Sequence, residues 1–172
     1  KPYVVLDGVT LKSSDYKVTY YLDEDMTKQI KGKTKVALAN DEDYATVFVK
    51  LVGKGNYADE KLYASGQYKV YRKGDKLDIS KAKVTIVDES GRKLSKVEYT
   101  GNELEPAVKV EVKVGKNYQV VDPAYYDVTY ADNIQKGKAT VIINADGEHC
   151  VGSKVATFKV VAKSVKGHNW EK

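Results

Sequence analysis

The chain has 172 residues, 42% hydrophobic and 31% charged, which excludes a disordered or low-complexity polymer. Its net charge of +5 comes from Lys, with Arg only at positions 72 and 92, so it lacks the planar guanidinium forks that favour nucleic-acid recognition. A single cysteine, Cys150, rules out an intrachain disulfide and a Cys-based zinc site, and no apolar stretch reaches membrane-spanning length.

Val, Tyr and Thr suit a pleated, half-buried surface, and there are 14 Tyr against 2 Phe. From Lys1 the chain already reads as a strand without a signal peptide, so a fragment or processed form of a longer protein is expected. Tyr16-Lys17-Val18-Thr19-Tyr20 alternates with a period of two, the mark of a strand with one buried and one wet face. Residues 21–44 follow, opening on Asp23-Glu24-Asp25 and closing on Asp41-Glu42-Asp43. Further strands are expected at Val47–Val52 and Tyr63–Val70, with a Gly53-Lys54-Gly55-Asn56-Tyr57 turn between them.

The polar run Tyr71–Lys76 carries Gly74 and reads as a domain boundary. Strands are then expected at Lys83–Val87 and Lys96–Tyr99, separated by the turn cluster Asp88–Arg92. The alternation is plainest at Val108-Lys109-Val110-Glu111-Val112-Lys113-Val114. Tyr126–Tyr130, Ala139–Ile143 and Lys154–Ala162 complete the set. Many short strands, regular turns and no helical period predict an all-β chain built from sandwiches.

The blocks recur in order. Asp15–Tyr20 matches Tyr125–Tyr130 at an offset of 110, Val47–Tyr57 matches Ala139–His149 at 92, and Tyr63–Val70 matches Ser153–Val160 at 90. Pro2 stands where Pro106 stands. A tandem duplication is therefore expected, with repeat one at 1–73, repeat two at 74–164 and a tail at 165–172. The falling offset places about 18 extra residues in repeat one, between 21 and 44. Repeat one is expected either to lack its initial strands or to carry an inserted hairpin.

Tyr99-Thr100-Gly101, Pro106, Tyr126–Tyr130, Gly137–Val141 and Gly53-Lys54-Gly55-Asn56-Tyr57 resemble the successive motifs of a repeat found in large surface proteins of Gram-positive anaerobes. The resemblance covers about 150 residues. It implies immunoglobulin-like or fibronectin-III-like sandwiches strung along an extracellular polypeptide, on the cell surface or in the cell wall. It further implies a spacer role beside neighbouring repeats, or an adhesin role, and it brings no catalytic motif. His149 and Glu148 depart from the family's Tyr and Asn.

Several residues are candidates for chemistry. Asp23, Glu24, Asp25, Asp41, Glu42 and Asp43 would bring six carboxylates together if the insertion closed as a hairpin, a donor set suited to Ca²⁺. No other cofactor is expected. Tyr20, Tyr21 and Tyr44 are candidates for stacking on a sugar ring, which makes a host or cell-wall glycan the expected ligand of a binding module, with a matrix protein as the other expected partner. His149 and Cys150 are adjacent, and adjacent strand residues face opposite ways, which disfavours a Cys–His nucleophile. The chain has no Gly-x-Ser-x-Gly, P-loop or His-Glu-x-x-His, so no enzyme is expected.

Overall fold

A computed structural model describes residues 3–38, 41–58 and 63–164. Pro2, residues 39–40 of the insertion and the expected tail at 165–172 lie outside the described residues. The fold is all-β, with three 3-10 turns and no longer helix among the described residues. The chain divides into two compact units, residues 1–75 and 76–172.

Unit one begins with a tight hairpin, β1 (Val5–Leu6) and β2 (Val9–Thr10). Asp7 and Gly8 turn it with φ of 50° and 77°, the doubly positive geometry that suits the twist of a two-residue hairpin loop. A three-stranded antiparallel sheet follows, in the order β3 (Tyr16–Tyr21), β4 (Tyr44–Gly53), β5 (Tyr63–Tyr71). Leu11, Tyr16 and Leu51 form a small core, with Val4, Leu6, Val18 and Tyr57 packed against it.

Between β3 and β4 no further strand forms among the described residues. The insertion opens with a short antiparallel pairing: Tyr21 bridges Gln29, Leu22 N–H donates to Lys28 O and Ile30 N–H donates to Tyr20 O. The reason is local. The Asp23 carboxylate accepts the Thr27 and Lys28 amides and the Thr27 hydroxyl, which closes the loop at once. Residues 31–35 then lack the apolar alternation that would hold a strand on a core.

Unit two runs β6 (Leu77–Asp78), β7 (Lys83–Ile86), β8 (Val97–Glu98), β9 (Val108–Val114), β10 (Asn117–Val120), β11 (Tyr126–Ala131), β12 (Gly137–Ala145), β13 (Cys150–Val151) and β14 (Ser153–Val161). One sheet has the order β10-β9-β7 and another the order β11-β12-β14-β8; β13 pairs with β6. Val110 and Val112 of β9 share one core with Ala139, Val141 and Ile143 of β12 and Phe158 and Val160 of β14. Two sheets burying alternate residues against each other is the arrangement of a β-sandwich.

Candidate functional site

The side chains of β3, β4 and β5 divide by parity. Tyr16, Val18 and Tyr20 of β3 register with Gly53, Leu51 and Val49 of β4 and share the face that carries the core. The intervening residues form the outward face in cross-strand rows. Lys17 lies beside Val52 and Tyr63, Thr19 beside Lys50 and Ser65, and Tyr21 beside Phe48 and Gln67. Thr46 then pairs with Lys69, and Tyr44 with Tyr71. No acidic residue occupies any of these positions.

Ammonium groups and rings are interleaved there. Lys69 Nζ sits 3.9 Å above the Tyr44 ring, and Lys50 Nζ lies 5.5 Å from the centre of the Tyr63 ring. Tyr44 and Tyr71 are tilted rings 5.5 Å apart. Tyr63 is 58% exposed, so part of its ring surface meets solvent. Two hollows mark the surface. One, of about 620 Å³, is bordered by Leu22, Lys35, Glu42, Asp43, Tyr44 and Phe48. The other, of about 340 Å³, is bordered by Lys17, Thr19, Tyr21, Lys50 and Lys54.

Tyr21 and Tyr44 therefore belong to the same face, and Tyr20 does not. The Tyr20 ring lies on the opposite face, edge-on to Tyr68 at 6.4 Å. Lys17, Phe48, Lys50, Tyr63 and Lys69 were missed in the sequence. They are spread over three strands, and the grouping emerges only when all three are read in register.

The two acidic triplets do different things. Asp23 spends its carboxylate on the Thr27 hydroxyl and the amides of Thr27 and Lys28, and these bonds hold it below the usual carboxylate range. Glu24, Asp25 and Asp41 are exposed, while Glu42 and Asp43 lie at the edge of the larger hollow. The backbone ties that end to the sheet: Arg72 N–H donates to Asp43 O at 2.8 Å. Among the described residues, no three His, Cys, Asp or Glu side chains group as metal ligands.

In unit two, Cys150 and His149 are parted. The His149 ring stacks on Tyr125 at 4.0 Å and its Nδ1 lies 2.6 Å from the Asp146 carboxylate. Cys150 is fully buried, and its Sγ donates to Tyr125 O at 2.9 Å. Burial pushes its thiol pKa up, away from the thiolate that a nucleophile needs. Asp146 is a turn residue that accepts the amides of Glu148, His149 and Cys150. Partial burial pushes its carboxyl up, but those bonds and His149 outweigh it and leave the pKa lowered.

Compared with known proteins, the chain matches no family model, and no curated protein or solved structure matches it at a significant level.

Proposed function

We propose that the chain is a non-catalytic structural module of an extracellular bacterial surface protein, two tandem immunoglobulin-like repeats that act as a spacer. The observation that carries this reading is a coincidence of register. Tyr16 pairs with Gly53 in unit one and Tyr126 with Ala145 in unit two. Val70 pairs with Ala45, and Val160 with Gly137. These are the offsets of 110, 92 and 90 found in the sequence, so the matched blocks occupy matched places in two sheets. A ring pair is duplicated with them: Tyr20–Tyr68 at 6.4 Å and 88°, Tyr130–Phe158 at 6.3 Å and 82°.

The use of polar groups supports the non-catalytic part. The carboxylates of Asp15, Asp78, Asp88, Asp122 and Asp146 each accept a backbone amide in a turn. Carboxylates committed to holding turns are not poised as acids or bases. Asp78 and Asp122 also start 3-10 turns, at Ile79–Lys81 and Pro123–Tyr125.

A spacer must bear load along the chain. Pulling the chain between handles at its ends is expected to give two unfolding events. Their contour lengths correspond to units of 75 and 97 residues, roughly 260 Å and 340 Å at about 3.5 Å per residue. A smooth extension with no event at either length would count against the spacer role.

A further inference from the structure

Two sheets with matched register invite a comparison of their outward faces. In unit two the outward positions include Asp127, Thr129, Lys138, Ile142, Val155 and Lys159, and no aromatic ring appears at any of them. In unit one the outward positions hold three lysines and five rings, Tyr21, Tyr44, Phe48, Tyr63 and Tyr71, where the matched positions of unit two hold Ala131, Lys136, Thr140, Ser153 and Val161. The sheet thus forms without outward rings in one unit and carries five in the other, so the rings are not demanded by strand pairing.

We propose that the outward face of β3–β4–β5 is a docking surface for an acidic polysaccharide, an unsulfated pyranose chain with a carboxylate on every sugar or every second sugar. Charge complementarity is the first argument. Lys17, Lys50 and Lys54 border a single hollow, and among the described residues none of them enters an ion pair. An anionic partner gives them the counter-charge that no strand position of this face supplies.

Ring chemistry is the second argument. Tyr63 and Tyr21 offer apolar faces beside these ammonium groups, and a pyranose presents an apolar face of C–H bonds to such a ring. A densely sulfated chain carries more charge than these few ammonium groups match, and its sulfates crowd the C–H faces that would lie on the rings. A neutral glycan leaves the ammonium groups unmatched. Hydrogen-bond inventory is the third argument. Thr19, Ser65 and Gln67 both donate and accept, as sugar hydroxyls do, whereas a phosphodiester backbone only accepts. From Tyr63 to Tyr71 the strand spans roughly 27 Å at about 3.4 Å per residue, room for several sugars in a row.

The test titrates the full chain with oligogalacturonate and hyaluronan oligosaccharides, with dextran, heparin and oligo(dT) as the other arms at matched charge or mass. The uronate chains are expected to bind at least about fivefold more tightly than the other three. Lys17→Gln with Lys50→Gln should weaken uronate binding about tenfold, while Lys138→Gln with Lys159→Gln in unit two changes it less than about twofold. Amide chemical shifts of the unmodified protein should move at Thr19, Lys50 and Ser65 on titration, a readout that needs no variant. Equal losses from the two double variants would reduce the effect to net charge and overturn the proposal. So would tighter binding of heparin or oligo(dT), shifts confined to other residues, or no binding of uronate at millimolar concentration.

Discussion

Asp88 shows how much a single carboxylate does here. It accepts the amides of Ser90 and Arg92 at 2.9 Å and 3.0 Å and the Ser90 hydroxyl at 2.6 Å, and Arg92 Nε lies 3.2 Å from its other oxygen. The hydroxyl bond first, then the amides and the guanidinium, hold its pKa at about 2. A folded value below that of the free carboxylate, about 3.9, means the stabilisation is fully present above that free value. It is lost as pH falls through about 4 towards 2. Asp88→Asn should therefore lower the unfolding midpoint of unit two near neutral pH, by a margin that shrinks in acid. Thermal melts across that range check it, and a margin independent of pH would contradict the assignment.

At the scale of the element, the strands were the legible part. The seven residues Val108–Val114 alternate in sequence and form β9 with the same bounds, because one face meets a core and the other meets water. Tyr126–Tyr130 and Ala139–Ile143 fall inside β11 and β12 for the same reason. The turn at residues 23–28 was not legible, since a turn closed by the carboxylate of Asp23 has no period to read. The outward face of unit one was half legible. Tyr21 and Tyr44 were singled out as rings, but Tyr20 was grouped with them because register, which separates the faces, is not written in any one strand.

The join between β13 and β14 is another such local device. Gly152 has φ of 88°, and a Cβ there would stand 3.0 Å from Asp78 Oδ1 and 3.3 Å from the Ser80 nitrogen. Gly152→Ala should cost roughly 1–3 kcal/mol through backbone strain and crowding. Chemical denaturation should register it as a lower midpoint for unit two with the slope unchanged. A neutral effect would mean that the 3-10 turn Ile79–Lys81 gives way more easily than its packing suggests.

Over the whole molecule, the units differ in how much they bury. Among the described residues, fourteen form the buried core cluster of unit two, whereas unit one has a cluster of three, with Val47 also buried. The duplicated ring pair registers the difference: Phe158 is 7% exposed, whereas Tyr68, in the matched place, is 45% exposed. Burying a Phe-sized ring is worth about 1.5–3 kcal/mol, so unit one forgoes much of that at this position. Amide hydrogen exchange is expected to be faster throughout β3, β4 and β5 than in β11, β12 and β14. Equal protection would show that exposure at Tyr68 is offset within unit one.

The matched register has a consequence for how such a chain can change. Each strand carries two messages on alternate letters. The letters that point inward say how to fold: Tyr16 and Tyr126, Val18 and Val128, Tyr20 and Tyr130 spell nearly the same word twice. Most of the letters that point outward are free of that duty, and there Lys17 stands against Asp127 and Lys50 against Ile142. The outer face of one sheet can thus differ while the frame beneath it is retained, and two sheets of one register can display different surfaces.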